Sequence, residues 1–251
     1  MTYLHWTEQT ITDFSDSNVS GLYSRGFVFT RLGRGMMQQT RSVRIDLSKF
    51  SLTSENRRIL KKTENINTPV LEQLPIQSYD FKVGKLAKDF YDLKFGPSIM
   101  SAQKVKEMLT DIEKSNFNVL LQFSTNTGSI NNIVTRDLAD SQMSEQNHAV
   151  EPIQVNHVGY AICFKNASLL HYSYPFYNLD IAPKDMGLGM MIRAIEYSRI
   201  AGLKYIYLGS LQRLGDTYKL QFEGLEWFDG LDWQTDIDVA KKLLSRPNSD
   251  K

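Results

Sequence analysis

The amino-acid sequence predicts an α+β fold in which helices flank a mixed, mostly antiparallel sheet. Asn118–Phe123 is a short, mostly apolar run rich in Val, Leu and Phe, and it predicts a strand. His157–Phe164 and Ser168–Phe176 are separated by only three residues and predict an antiparallel hairpin. A helix with apolar spacing at Gly187–Ala201 and a strand at Lys204–Leu208 follow. Hairpins together with helix-linked strands are typical of an α+β domain.

The start of the chain predicts a small α/β unit that precedes this domain. Gly26–Thr30 and Ser42–Asp46 have the composition of short strands, and a helix rich in arginine and lysine follows them. Two prolines close to residue 70 indicate a linker, because proline interrupts helices and paired strands. We therefore expect a basic N-terminal unit at residues 1–70 and a larger domain at residues 71–251.

Between the linker and the hairpin the sequence predicts two helices and a long loop. Apolar residues recur at helical spacing in Leu86–Phe95 and again in Val105–Ile112. Ser124–Val155 is polar and rich in Asn, Ser and Gln, which predicts a loop. Near the C-terminus, Asp236–Leu244 predicts a last helix.

Basic residues are concentrated in the N-terminal unit, although the whole chain has a formal net charge of only +1. From Arg25 to Lys62 there are ten lysines and arginines but only two acids, Asp46 and Glu55. A local excess of positive charge is typical of phosphate binding, and it is also typical of a solvated basic face. The charge pattern alone leaves both interpretations open.

Several kinds of protein are disfavoured by what the sequence lacks. No stretch approaches the roughly 18 consecutive apolar residues of a membrane helix, and the N-terminus does not have the pattern of a signal peptide. Cys163 is the single cysteine, which excludes an internal disulfide and a multi-cysteine zinc or iron–sulfur site. We therefore expect a cytoplasmic protein with no metal, no cofactor and no membrane contact.

The C-terminal half contains a series of tyrosine-rich and glycine-containing stretches, namely Tyr172–Asp180, Lys184–Gly189, Ala201–Gly209 and the spaced residues Tyr218, Lys219, Phe222 and Glu226. In order and spacing, these stretches resemble the C-terminal half of arginyl- and leucyl-tRNA–protein transferases. Gly187 and Gly189, with Lys184 in the basic position, also resemble the short glycine signature of the GNAT acyltransferases. The resemblance implies that residues 71–251 form a GNAT-like acyltransferase domain.

The N-terminal unit resembles the same family of transferases. The residues that match, in the family's order, are Arg44, Phe50, Ser54 and the basic run Asn56–Lys62. Family members usually contain a cysteine cluster before this point, which binds a metal or an iron–sulfur centre in some of them. The corresponding stretch Arg34–Thr40 contains no cysteine, in agreement with the expectation of no cofactor.

The resemblance implies a reaction between aminoacyl-tRNA and an acceptor protein. An amino acid, arginine or leucine, would pass to the N-terminal α-amine of proteins that begin with Asp or Glu and would mark them as N-degrons. The ester of aminoacyl-tRNA is already activated, and an α-amine has a pKa of about 7.7–8.0, so the demand on a general base is modest. The site would mainly position the two substrates and stabilise the oxyanion.

The matched stretches supply the candidate site residues. The candidates for orienting the donor or polarising its carbonyl are Asp180, Tyr218 and Lys219. The candidates for binding the aminoacyl group, the terminal adenosine or its phosphate are Tyr172, Tyr174, Phe176, Tyr177, Lys184, Gly187, Gly189 and Glu226. The candidates for contact with tRNA or with an acidic acceptor are Arg44, Arg57, Arg58, Lys61 and Lys62. Structural alternatives are core packing for the aromatic residues, a turn for Asp180 and a buried arginine as partner of Glu226.

Two other functions agree with parts of the sequence. A GNAT enzyme that uses an acyl-CoA would share the glycine signature, but it would not explain the basic N-terminal unit. A non-catalytic relative that binds tRNA or protein N-termini would agree with the missing cysteines and with Asp185, an acid close to the expected phosphate site. The oligomeric state is left open.

Overall fold

The computed structural model describes residues 4–125 and 157–245 of the chain. In chain order its strands are β1 (Thr7–Thr10), β2 (Phe27–Phe29), β3 (Met36–Gln39), β4 (Ser42–Asp46), β5 (Val70–Gln73), β6 (Val119–Ser124), β7 (His157–Lys165), β8 (Leu169–Tyr177), β9 (Tyr205–Ser210), β10 (Leu225–Phe228) and β11 (Trp233–Gln234). Its helices are α1 (Asp16–Ser24), α2 (Ser54–Lys62), α3 (Phe81–Phe95), α4 (Ala102–Thr110), α5 (Met186–Ile200) and α6 (Ile237–Ser245), with a 3-10 helix at Leu214–Gln221. Within the described residues, no helix has both the length and the apolar composition needed to cross a membrane.

An eight-stranded sheet with the order β11-β10-β4-β9-β8-β7-β6-β5 forms the centre of the fold, and β1, β3 and β2 form a separate three-stranded sheet. Neighbouring strands of the large sheet are antiparallel except for β8 and β9, which are parallel. The predicted hairpin is present as β7 and β8. The prediction of an α+β fold with a mixed, mostly antiparallel sheet between helices is therefore confirmed.

Helices cover both faces of the large sheet. On one face α5 packs together with α2 and α6, and the core there includes Ile59 and Leu244. On the other face lie α1, α3, α4 and the three-stranded sheet, and the core there includes Val19, Phe90 and Met108. We call these two sides the α5 face and the α3 face.

The parallel pairing of β8 and β9 is short. It covers three residue pairs and ends at His171 opposite Tyr207. Beyond this point β8 continues along β7 and β9 continues along β4, so the two strands part. We call the space between Tyr172–Tyr177 of β8 and Leu208–Ser210 of β9 the wedge.

A β-bulge in β8 places Tyr172 and Tyr174 on opposite faces of the sheet. Cys163 of β7 is opposite Tyr172 and Ile162 is opposite Tyr174, so Ser173 is an extra residue in the ladder. Tyr172 consequently belongs to the core of the α5 face, whereas Tyr174 packs on the α3 face. In a regular strand these two tyrosines would share a face.

Strands from both predicted units belong to the same sheet. β4, from the first 70 residues, lies between β9 and β10 and pairs with both. The linker predicted near residue 70 is wrong, because Val70–Gln73 forms β5 and pairs with β6. The loop predicted for residues 124–155 lies outside the described residues from 126 onwards. The division of the chain at residue 70 stays a prediction.

Candidate functional site

Four residues of the predicted site come together at the wedge. Tyr172 and Tyr177 belong to β8, and Tyr218 and Lys219 belong to the 3-10 helix that follows β9. The pKa of Tyr172 is raised by burial above all, and further by neighbours that include Tyr218 and Tyr177. A Cβ at Gly209 would lie 3.8 Å from Lys219 Nζ, so two of the stretches matched in the sequence are neighbours in the fold.

The Tyr172 hydroxyl is buried without a hydrogen-bond partner. The residue is 2% exposed, and within residues 4–125 and 157–245 no group forms a hydrogen bond with its Oη. The nearby Cys163 thiol is also fully buried, and burial raises its pKa. A thiol of this kind is inert, so Cys163 does not act as a nucleophile.

Lys219 places a buried ammonium group beside the wedge. Its Nζ donates a hydrogen bond of 2.7 Å to the Ser210 carbonyl oxygen and lies 3.7 Å from Asp216 Oδ1. Burial lowers the pKa of Lys219, and the nearby carboxylate of Asp216 opposes this effect. A buried charge requires such partners, because an isolated one would be very costly.

Ser210 and Asp216 were not identified from the sequence. Asp216 lies three residues before Lys219, and this spacing is a detectable signal for an ion pair on a helix. The Ser210 contact is made by a backbone carbonyl, which leaves no sequence signal.

Tyr177 and Tyr218 contribute two further hydroxyl groups. Tyr177 lies against the start of α5, where a Cβ at Gly187 would be 3.4 Å from Tyr177 Oη, and burial raises the pKa of Tyr177. Tyr218 is 43% exposed, but burial of its hydroxyl end raises its pKa to about 12. Both hydroxyls therefore stay protonated at neutral pH and can donate hydrogen bonds.

One of the two glycine amides at the start of α5 has a partner within the protein. The Gly189 N–H donates a hydrogen bond of 2.9 Å to the Asp185 carbonyl oxygen. A Cβ at Gly189 would lie 2.5 Å from Thr63 Oγ1, so this glycine permits the close packing of α2 on α5. Asp185 adds a carboxylate at the helix N-terminus, which disfavours an anion. Both features make the start of α5 less favourable for an anion, and the predicted phosphate contact of Gly187 and Gly189 stays a prediction.

Asp180 and Lys184 lie between β8 and α5, and both are exposed. The Asp180 N–H donates a hydrogen bond of 2.9 Å to Asn178 Oδ1, which stabilises the turn locally. Both side chains are accessible to a large substrate, and their roles stay predictions.

Tyr174 and Phe176 lie on the α3 face and are not brought together with Tyr172. Phe176 is 0% exposed, and its ring stacks on Tyr160 with a centroid separation of 5.4 Å. The Tyr174 ring contacts Phe117 edge-on at 5.3 Å. Core packing, the structural alternative, therefore describes Phe176.

Arg44 and Glu226 form a buried ion pair on the adjacent strands β4 and β10. Arg44 Nε lies 2.7 Å from Glu226 Oε2, and the guanidinium lies 4.1 Å and 3.8 Å from the ring centroids of Tyr205 and Trp233. Burial acts to lower the pKa of Arg44, but Tyr207 and Glu226 outweigh it and raise the pKa. Arg44 and Glu226 are therefore partners of one another, and their predicted contacts with the substrate stay predictions. The alternative, in which Glu226 pairs with a buried arginine, is correct.

The four basic residues predicted on α2, Arg57, Arg58, Lys61 and Lys62, are all exposed. Lys62 Nζ lies 3.1 Å from Asp185 Oδ2, so α2 is joined to the start of α5. The basic face of α2 therefore lies beside the helix that follows β8.

Comparison with solved structures gives matches with low TM-scores and low sequence identity. L-PGS from Bacillus licheniformis aligns with a TM-score of 0.46 and 10% identity, over 92% of this chain and 71% of that chain. FemX aligns with a TM-score of 0.42 and 12% identity, over 79% and 60% of the two chains. The C-terminal domain of a putative lysylphosphatidylglycerol synthetase from Agrobacterium fabrum has a TM-score of 0.40 and 11% identity, over 91% and 68%. Scores below 0.5 support no conclusion about function.

Comparison with curated proteins finds relatives with one shared name, aspartate/glutamate leucyltransferase. The relative from Dinoroseobacter shibae is 37% identical over 65 residues, which are 24% of this chain and 22% of that protein. The relative from Ruegeria sp. is 39% identical over 64 residues, or 24% and 23% of the two proteins. The chain thus spans less than a quarter of the length of the relatives that it matches, and no protein-family model matches it. Over this segment, the expected resemblance to the aminoacyl-tRNA–protein transferases is confirmed.

Proposed function

We propose that this protein transfers an amino acid from aminoacyl-tRNA to the N-terminal α-amine of acceptor proteins. The observation that carries the proposal is the meeting of Tyr172, Tyr218 and Lys219 at the wedge. Tyr172 lies on the β8 side of the wedge, and Lys219 Nζ donates a hydrogen bond to the Ser210 carbonyl oxygen on the β9 side. Tyr218 precedes Lys219 and is among the neighbours that raise the pKa of Tyr172. The names of the curated relatives support the same class of reaction.

The path of the chain around the wedge supports a GNAT-like arrangement. Two parallel strands part after a short pairing, and α5 connects them across one face of the sheet. Such a gap exposes polar groups of both strands to a substrate that enters between them. We therefore propose that the aminoacyl end of the tRNA enters the wedge.

The wedge supplies hydrogen-bond donors for an acyl transfer. The α-amine of the acceptor attacks the ester carbonyl, and negative charge develops on the carbonyl oxygen before the bond to the ribose breaks. We propose the Lys219 ammonium, which the Ser210 carbonyl oxygen holds in place, and the Tyr218 hydroxyl as donors to this oxygen. Donors held in place stabilise such charge more effectively than water does. The leaving ribose oxygen takes a proton as the amine loses one.

Leucine is the donor amino acid that we propose. The relatives are named leucyltransferases, and the buried ammonium of Lys219 would repel a cationic arginine side chain in the same space. By the same names, we propose acceptors that begin with Asp or Glu, and a role in marking proteins as N-degrons. The exposed basic face of α2 would contact the tRNA backbone.

A transfer assay with a panel of donors tests this proposal. Purified protein is incubated with leucyl-tRNA, arginyl-tRNA or acetyl-CoA and with peptides that differ only in a first residue of Asp, Glu or Ala. We expect leucine to be added to the Asp and Glu peptides. Acetylation would favour the acyl-CoA enzyme, and binding of charged tRNA without transfer from any donor would favour the non-catalytic relative.

A further inference from the structure

The Tyr172 hydroxyl is the polar feature that the fold itself does not explain. A tyrosine hydroxyl that is buried usually has a hydrogen-bond partner, because its separation from water is otherwise uncompensated. Tyr172 Oη has no such partner in the described part of the chain, although the residue is 2% exposed. A phenylalanine would fill the same space without this cost.

Two polar groups near Tyr172 form their own hydrogen bonds. Tyr91 Oη donates to the Pro175 carbonyl oxygen at 3.2 Å, and the Cys163 thiol contacts the Ala161 carbonyl oxygen at 3.4 Å. The hydroxyls of Tyr177 and Tyr218 are further neighbours, and neither forms a hydrogen bond with Tyr172 Oη in the described part of the chain. The Tyr172 hydroxyl therefore keeps its donor capacity for a ligand.

The bulge at Ser173 fixes the direction of this side chain. It turns Tyr172 to the α5 face at the point where β8 and β9 part, whereas Tyr174 lies on the opposite face. Burial raises the pKa of the Tyr172 hydroxyl well above its usual value, so the group is protonated at neutral pH. A protonated hydroxyl can donate one hydrogen bond to an oxygen acceptor.

We propose that Tyr172 Oη donates a hydrogen bond to the ester carbonyl oxygen of the aminoacyl-tRNA, and this role rests on the proposed function. In the reaction a bond forms between the acceptor nitrogen and the carbonyl carbon, and the bond from that carbon to the ribose oxygen breaks. The amine loses one proton and the ribose oxygen gains one. Tyr172 keeps its own proton and stabilises the charge on the carbonyl oxygen.

The variant Tyr172→Phe tests this role because it removes only the hydroxyl. We expect the melting temperature to be unchanged or higher, because a buried hydroxyl without a partner is lost. We expect kcat for leucyl transfer to fall at least tenfold, with little change in KM for the acceptor peptide, because the hydrogen bond strengthens as the oxyanion forms.

Tyr23→Phe is the matched control. Tyr23 is also fully buried, but its hydroxyl forms a 2.9 Å hydrogen bond with His171 Nδ1. Removal of that hydroxyl should lower the melting temperature and leave kcat near the wild-type value. The two variants thus have opposite expected effects on stability and on turnover.

Each outcome has a separate meaning. A lower melting temperature of Tyr172→Phe would show that the hydroxyl has a partner in the folded protein and would overturn the proposal, whatever the activity. An unchanged melting temperature with wild-type kcat would overturn it as well. If the wild-type protein transfers no amino acid from any charged tRNA, the proposed function itself fails, and the proposed role of Tyr172 fails with it.

Discussion

Arg44 illustrates how a charged residue can have a role that its sequence motif does not reveal. The motif at Arg44 resembles a substrate-binding stretch, but the side chain lies between two aromatic rings and pairs with Glu226 across neighbouring strands. The pairing of Glu226 with a buried arginine was one of the alternatives that the sequence offered. The identity of the arginine that pairs with Glu226 depends on the order of the strands, and a local sequence pattern does not encode strand order.

Replacement of Glu226 by alanine tests how much this ion pair contributes to the free energy of unfolding. Glu226→Ala leaves the Arg44 guanidinium buried without its carboxylate, so we expect the free energy of unfolding to fall by about 3–5 kcal/mol. Glu226→Gln keeps the shape and one hydrogen-bond acceptor and should cost less. Urea unfolding of both variants measures the difference, and a loss below about 1 kcal/mol for Glu226→Ala would contradict the account.

His171 should make the stability of the protein depend on pH. Burial, together with the nearby Lys219, lowers its pKa from 6.5 to about 3. Below pH 6.5 the unfolded chain therefore binds a proton that the folded protein excludes, so stability is complete above this pH and falls as the pH decreases towards 3. The slope that His171 contributes should approach about 1.4 kcal/mol per pH unit.

The measurement for His171 is urea unfolding of the wild-type protein and of His171→Gln between pH 4 and pH 8. The wild-type curve should be steeper below pH 6.5, because glutamine takes up no proton in either state. The absolute stabilities at pH 8 give the control, since the histidine is then neutral whether the chain is folded or unfolded. Parallel curves over the whole range would contradict a buried neutral histidine.

Among the secondary-structure elements, the packing of α2 on α5 explains a glycine of α5 in a way that the sequence did not show. A glycine-containing turn before a helix predicted bound phosphate, and the turn and helix are present. A larger residue at position 189, however, would clash with Thr63, the residue at the C-terminal end of α2. A contact between residues this distant in the chain has no local sequence signal, so the strand, turn and helix were predictable but the reason for the glycine was not.

Gly189→Ala tests the contact between the two helices. The added methyl group would lie 2.5 Å from Thr63 Oγ1, so one helix must shift, and we expect a loss of about 1–3 kcal/mol in the free energy of unfolding. Gly21→Ala is the matched control, since Gly21 is also in a helix and a Cβ there meets no atom within 4 Å. That variant should be slightly more stable, by about 0.5–1 kcal/mol. Equal effects of the two substitutions would contradict the packing role.

The basic face of α2 makes a prediction about salt dependence. If α2 contacts tRNA, the double variant Arg57→Gln/Lys61→Gln should bind tRNA more weakly and lower the slope of log affinity against log salt by about one per lost contact. Fluorescence anisotropy over a series of salt concentrations gives this slope. The control Lys85→Gln/Lys88→Gln removes two exposed charges from α3 and should leave the slope unchanged. An equal decrease in slope for the two double variants would indicate non-specific attraction between the protein and tRNA.

For the whole molecule, the local elements were more predictable than their arrangement. The β7–β8 hairpin occurs where two runs separated by three residues predicted it, and helix α5 occurs where helical periodicity predicted it. The insertion of β4 between β9 and β10 was not predictable, because it depends on pairing between opposite ends of the chain. The wedge, too, follows from the point at which two parallel strands part, and only the tyrosines and Lys219 around it were visible in the sequence.

We propose that the wedge performs aminoacyl transfer to an α-amine. The most direct test is the intact mass of a peptide that begins with Glu, after incubation with the protein and leucyl-tRNA, beside the same peptide with an acetylated N-terminus. We expect the free peptide to gain the mass of one leucine residue and the acetylated peptide to gain none. No gain with verified leucyl-tRNA, or an equal gain on the acetylated peptide, would contradict it.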